Sequence, residues 1–338
     1  MHCISIKEEE STIFTMMQPP AEDDDDDEIF VYMGGDQQVP HGVRRAKIHI
    51  SVKIVREWAF FNRRQLIYVE CHDGVEIIEK WAFHSCQSLR SVKLLGVKII
   101  KEAAFFSCDK LTDVEFGDKL ETIESQAFNS CSLLRNARIP SVRTIGRQAF
   151  SSCYELSDLE CGEALETLQW AAFGSCPELK RIALPLKRIR FEDDFVFDSQ
   201  KLTTLDLVGG VQSTVATLHM ESWRNEMTGE INRINQVLPN TNNCWRQTGA
   251  IQQWMESTVH LLDHYTTEHH KLMKEATTLL ELALWKANLG DNGGGQLLER
   301  EGVGTTRGSR KRARREICVT SGANIVIKNV LPFLQMLE

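Results

Sequence analysis

The chain contains no run of about 18 or more apolar residues, so no bilayer-spanning helix is expected. Its opening stretch, Met1 to Glu10, ends in three glutamates and has none of the apolar content that a secretory signal needs. There is no GxSxG, no P-loop, no GxGxxG following a strand, no CxxC pair and no HExxH. Serine-hydrolase, nucleotide-binding, dithiol and zinc-protease chemistry therefore lack support, and neither enzymatic activity nor a cofactor is expected. Basic residues are not in excess: 39 Lys and Arg face 47 Asp and Glu, and the net charge of −8 argues against a nucleic-acid binder with a uniformly basic surface. Ten cysteines are present, but without a secretory route they are expected as thiols. The expectation is an intracellular protein, cytoplasmic or nuclear, with no membrane contact.

What the chain does contain is a repeat. Ala-Phe-x-x-Cys occurs at Ala82–Cys86, Ala104–Cys108, Ala127–Cys131, Ala149–Cys153 and Ala172–Cys176, in steps of 22, 23, 22 and 23 residues. Three residues beyond each Cys stands a leucine: Leu89, Leu111, Leu134, Leu156 and Leu179. Four residues before each Ala stands an aliphatic: Ile78, Ile100, Ile123, Ile145 and Leu168, with Val55 in an earlier, worn copy. That copy has Arg63 in the Cys slot, and a last one has Ser199 there. Each unit then reads Leu-x-x-φ-x-φ, as in Leu89, Val92 and Leu94, whose period-2 ending marks a short strand. The Ile-x-x-x-Ala-Phe piece is expected as a helical turn or short helix on the opposite side. No coil of this length buries its own apolar edge, so the units must stack. Eight parallel strands follow, from about Val43 to Leu207, lining an inner face.

These residues resemble the BspA-type, or treponemal-type, leucine-rich-repeat family over roughly residues 43–208, on the AFxxCxxL core. The resemblance implies an α/β-repeat solenoid with a parallel sheet on its inner face, used for protein–protein contact and often displayed on bacterial surfaces. Lacking a signal peptide, the chain is more similar to intracellular members from unicellular algae, in which such repeats precede a helical tail. For those the family implies a fold and no known partner.

Outside the repeats, residues 1–28 end in the acidic run Glu22–Glu28, which self-repels and is expected to be disordered. Ile29–Tyr32 reads as a strand capping the first coil, so the solenoid with its cap is taken as residues 29–210. Residues 211–338 form a helical region. Met220, Trp223, Met227, Ile231, Ile234 and Leu238 step by 3 or 4 until Pro239. A second helix, from about Trp245 to Asn288, carries the seam Ile251, Met255, Thr258, Leu262, Tyr265, His269, Leu272, Ala276, Leu279 and Ala283, with coiled-coil spacing. It either folds back on the helix bearing Trp223 and Met227 or pairs with a second chain. Polar Thr258 and His269 in the seam tip the balance towards a monomer over a homodimer. A Gly-rich and basic loop, 290–316, contains Lys311, Arg312, Arg314 and Arg315, read either as a nuclear-import cluster or as a solvated loop.

Three further features admit two readings each. The cysteine column suggests metal, yet a single file cannot wrap an ion, and small buried side chains with weak S–H donors suffice. His260, His264 and Glu268 share a helix face at metal-ligand spacing, or are simply the wet side opposite the seam. Lys47, Glu70, Lys93, Glu115, Arg138, Glu160, Ala183 and Asp206 stand between inward positions with alternating sign, either a recognition stripe or a ladder that neutralises itself.

The strongest binding candidates are aromatics where the repeat requires none. Trp58 and Trp81 share the slot before the Ala, Trp170 stands one place earlier in its own coil, and Phe61 and Phe106 share the slot after the Phe. Such residues are enriched at interface cores, although packing on the amino-terminal cap or the tail would equally place them there. The sequence thus points to a non-enzymatic scaffold for protein partners. The alternative is a structural protein assembled through the long carboxyl-terminal helix.

Overall fold

The structure is a computed structural model that describes residues 29–192, 194–240 and 244–293. The acidic run and the basic loop with Lys311, Arg312, Arg314 and Arg315 lie outside the described residues. From Ile29 to Val208 the chain coils, and seven of its turns give one strand to each of two parallel-stranded sides, while the first and last strands belong to one side only.

The first sheet holds Ile29–Tyr32, Arg45–Ile48, Tyr68–Glu70, Ser91–Leu94, Asp113–Phe116, Asn136–Ile139, Asp158–Cys161, Arg181–Pro185 and Thr204–Val208. The last eight are the strands that the Leu-x-x-φ-x-φ pattern anticipates, and the first is the expected cap. Register advances by one coil per strand, as in Val92 opposite Val114 and Leu159 opposite Ile182. The pairing is not continuous: it runs from Ile29–Tyr32 to Asp113–Phe116, and again from Asn136–Ile139 onward. Ala137 sits at this gap, where flanking coils carry Val114 and Leu159, and Val114 and Phe116 on the strand before it are only half-buried.

The opposite side corrects the expectation of a helical turn. Seven two-residue strands stack there in one unbroken parallel sheet, from Ile54–Val55 to Arg190–Phe191. Helix is blocked because each Ala-Phe turn contains two left-handed residues four apart, such as Trp81 (φ 54°) and Ser85 (φ 59°), or Gln126 (φ 58°) and Ser130 (φ 62°). A right-handed helix cannot run through such positions. The turns form their own rungs instead, with the Phe83 N–H donating to the Ala104 carbonyl at 2.7 Å and that of Phe105 to Ala127 at 2.8 Å.

Between the sheets runs a column of buried rings: Phe60, Phe83, Phe105, Phe128, Phe150, Phe173 and Phe195. From Phe60 to Phe150 successive centroids lie 4.8, 5.0, 5.1 and 5.2 Å apart with planes within 13°. Tyr32 of the cap closes one end, 5.2 Å from Phe60. Each Cys thiol donates to the Phe carbonyl one coil back, as from Cys108 to Phe83 at 3.2 Å and from Cys153 to Phe128 at 3.3 Å. The worn copies keep this bond with other donors. Ser199 Oγ reaches the Phe173 carbonyl at 2.8 Å, and Arg63 Nε reaches the Val39 carbonyl in the cap at 2.6 Å. The slot therefore selects a donor to the preceding coil rather than sulfur.

After Val208 come α1 (Val211–Ala216), α2 (Glu221–Val237) and α3 (Cys244–Gly293). The first half of α3 packs on its own chain. Trp254 Nε1 donates to the Glu230 carbonyl of α2 at 2.8 Å, the Tyr265 ring stacks 5.1 Å from Trp223, and Thr248 Oγ1 donates to Asp194 of the last coil at 3.0 Å. Ile251, Met255 and Thr258 of the seam are buried, whereas Leu279 further along is 49% exposed.

Candidate protein-binding surface

The left-handed slots bring Trp58, Trp81, Phe61 and Phe106 together on the first three Ala-Phe turns. Trp58 lies 4.5 Å from Trp81, and its edge meets Phe61 at 4.8 Å and 73°. His84, which the sequence reading passed over, completes the group. It stands in the slot shared by Phe61 and Phe106, 5.2 Å from the first and stacked on the second at 4.9 Å and 11°. Burial among these rings holds the His84 imidazole below its ordinary pKa, which keeps it neutral near pH 7. The signal that could have found it was positional: a flat ring in a column of rings.

Trp58 is 47% exposed, and Trp81, Phe61, His84 and Phe106 are half-buried. Both tryptophans hold left-handed backbone, at φ 64° and 54°, where large side chains are disfavoured. The same slot carries Ala103, Gln126, Gln148 and Ala171 in later coils, so the fold does not require a ring there. Two ion pairs flank the patch, Lys80 with Glu102 at 2.9 Å and Lys101 with Glu79 at 3.3 Å, and Trp58 Nε1 donates to Glu57 at 2.8 Å. A groove of about 430 Å³ opens beside Trp58, walled on one side by the cap residues Gly35–Val39 and on the other by Glu57 and Arg63.

Trp170 does not join them. Four coils beyond Trp81, it sits 6.1 Å from Phe197 with the Arg147 guanidinium 5.5 Å over its ring. A shallower groove of about 420 Å³, lined by Arg147, Trp170, Phe191 and Glu192, lies there.

The alternating charges resolve into pairs: Lys47–Glu70 at 2.8 Å, Lys93–Glu115 at 3.0 Å and Arg138–Glu160 at 3.1 Å. Each partner's strongest neighbour is thus in the adjacent strand of the same chain. Among the described residues no group of three or more His, Cys, Asp or Glu is placed to hold a metal ion. His260 and His264 are exposed, and Glu268 turns to Lys271 at 3.8 Å. The seven cysteines with described side chains are all free. Burial pushes the Cys86 and Cys176 thiols up to about 12 and the other buried thiols upward too, which makes the column unreactive. No helix among the described residues is long and apolar enough to cross a membrane.

Residues 42–142 and 134–225 match the BspA type leucine-rich repeat region, in six copies. The chain belongs to this family. In this chain the AFxxC turns lie within the matched residues, and their thiols bond each coil to the one before. Among solved structures, a leucine-rich-repeat protein of T. pallidum is 23% identical, with 52% of this chain and 77% of that one covered and a TM-score of 0.42. One from Bacteroides ovatus is 21% identical over 53% of this chain and 58% of its own, with a TM-score of 0.36. One from Eubacterium ventriosum is also 21% identical, over 51% and 42%, with a TM-score of 0.39. No curated protein gives a significant match.

Proposed function

We propose that this BspA-type solenoid is a non-enzymatic scaffold that binds a protein partner through the aromatic patch of Trp58, Phe61, Trp81, His84 and Phe106. The observation that carries the reading is two tryptophans kept partly exposed on left-handed backbone, in a slot that the same fold fills elsewhere with Ala or Gln. Aromatic residues are the side chains most enriched in interface hot spots. Lys80 and Lys101 beside the rings are each paired with a glutamate, which favours an apolar partner surface over nucleic acid or phosphate. The seven free thiols fit a reducing compartment, cytoplasmic or nuclear.

The test uses substitutions that the fold already tolerates. Trp58→Gln with Trp81→Gln copies the slot of Gln126 and Gln148 and should leave the melting curve within a few degrees of wild type. Proximity labelling in the source cell with wild type, this double variant and an Arg138→Ala control should yield partners lost only in the double variant. Identical partner sets in all three would refute the assignment.

A further inference from the structure

The two ends of the solenoid are closed by unequal means. At the carboxyl end Asn235 of α2 covers the free edge of the last first-sheet strand: its Oδ1 accepts from the Leu205 N–H at 2.7 Å, and its Nδ2 donates to the Leu205 carbonyl at 3.2 Å. Behind it Ile234, Leu238, Ile251 and Trp254 are buried in the same apolar core as the last coil. At the amino end one side chain does the corresponding work. Gln37 Oε1 accepts from the Met33 N–H at 2.5 Å, and its Nε2 donates to the Val31 carbonyl at 3.3 Å. In a parallel ladder a single residue of a neighbouring strand makes this pair of bonds, to residues two apart. The Gln37 amide therefore stands in for the peptide of one more strand.

The edge it covers is apolar. Ile29, Val31 and Met33 are 50%, 41% and 53% exposed, while the strand behind presents Arg45 and Lys47 in register with the first two. The Tyr32 carbonyl accepts from His49 of the coil behind, so its neighbours Val31 and Met33 direct their peptide groups outward. An uncovered apolar edge of this kind pairs with another strand.

We propose that the edge strand Ile29–Tyr32 is a latent dimerisation surface for a second copy of this chain, held shut in the monomer by Gln37. The occupant is a second copy because the edge is complementary to itself. Antiparallel pairing about a two-fold axis at Val31 sets Val31 opposite Val31 and Ile29 opposite Met33, apolar against apolar. It also makes the outward-facing peptide groups of those residues the hydrogen-bonded pairs. The far end is buried under α2 and α3, so pairing closes at two chains and does not propagate into a fibre. Five aspartates and Glu28 immediately precede Ile29 in sequence. Two copies therefore bring like charge to the joint, and added salt tightens it.

Size-exclusion chromatography with light scattering on the full chain, across the micromolar range and at low and high salt, tests this. Wild type should run at 38.5 kDa and Gln37→Ala at twice that mass, more completely at high salt. Adding Val31→Lys to Gln37→Ala should return it to one mass, because two lysines would then face each other across the axis. Circular dichroism checks that each variant keeps the wild-type fold. A Gln37→Ala protein that stays monomeric throughout overturns the proposal. So does a dimer that Val31→Lys leaves intact, an open-ended polymer, or a wild type already dimeric at the lowest concentration.

Discussion

Replacing Phe128 by Ala removes the middle of the ring column and isolates what stacking contributes. Phe128 is fully buried, lies 5.1 Å from Phe105 and 5.2 Å from Phe150, and takes the edge of Phe116 at 5.5 Å and 84°. Loss of a core phenylalanine costs about 3–5 kcal/mol, and each aromatic pair adds about 0.5–1.5 kcal/mol beyond area burial. With three ring neighbours Phe128 belongs at the upper end, about 5 kcal/mol. Phe195, with the single described ring neighbour Phe191 at 5.2 Å, belongs nearer 3 kcal/mol on the same scale. The gap of about 2 kcal/mol is the part owed to position in the column rather than to residue type. Urea unfolding followed by circular dichroism measures both, with Phe128→Leu as a control that keeps most of the volume. At about 2–4 °C per kcal/mol for a unit of this size, Phe128→Ala should melt roughly 10–20 °C below wild type. Equal losses for the two alanine variants, or a Phe128→Ala protein within about 1 kcal/mol of wild type, would refute the stacked-column account.

Cys131→Ser should lie within about 1 kcal/mol of wild type, because Ser199 already makes the same bond in the last coil; Cys131→Ala, which leaves the Phe105 carbonyl only the Cys108 N–H at 3.3 Å, should be less stable than Cys131→Ser by about 0.5–1.5 kcal/mol, and thermal melts of the two decide. Native-state alkylation at neutral pH should leave the buried column thiols unmodified, with all of them labelled after denaturation without reductant; a stoichiometric disulfide among them would contradict the assignment. His269 is held below its ordinary pKa by burial first, then by His219 and His270, so the unfolded chain binds more protons. Its contribution to stability is complete above about pH 6.5 and is lost as pH falls below that value towards the folded pKa. Urea midpoints at pH 7.5 and 5.5 should therefore fall further in wild type than in His269→Asn, and equal falls would exclude the cluster. Lys93→Ala, which breaks a pair whose side chains are 60% and 52% exposed, should shift stability by less than about 1 kcal/mol.

The AFxxC register located the ring column, the thiol file and the eight repeat strands because a 22- or 23-residue period repeats each contact in kind. The second sheet escaped because two-residue strands show no periodicity, and because nothing about Ala103 or Gln126 announces a left-handed backbone. The aromatic patch is half legible in the sequence: Trp58, Trp81, Phe61 and Phe106 stand out as surplus rings, while His84 shows as a ring only once its coil is stacked between Phe61 and Phe106. Trp170 looked equivalent to the others by residue type, but distance along the stack separates it. Gln37 and Asn235 were invisible, since each acts on a strand edge that exists only once the chain has coiled.

The gap between Asp113–Phe116 and Asn136–Ile139 makes the solenoid mechanically two-sided. Along one flank the short strands are laced without interruption, while along the other the lacing stops for one coil and resumes. The ring column spans the break, with Phe105 and Phe128 stacked 5.1 Å apart and Phe116 edge-on to Phe128 at 5.5 Å, so at that one junction side-chain packing holds the flank that backbone pairing holds elsewhere. The aromatic patch lies wholly on the amino-terminal side of that junction, and α2 and α3 pack on the carboxyl-terminal side.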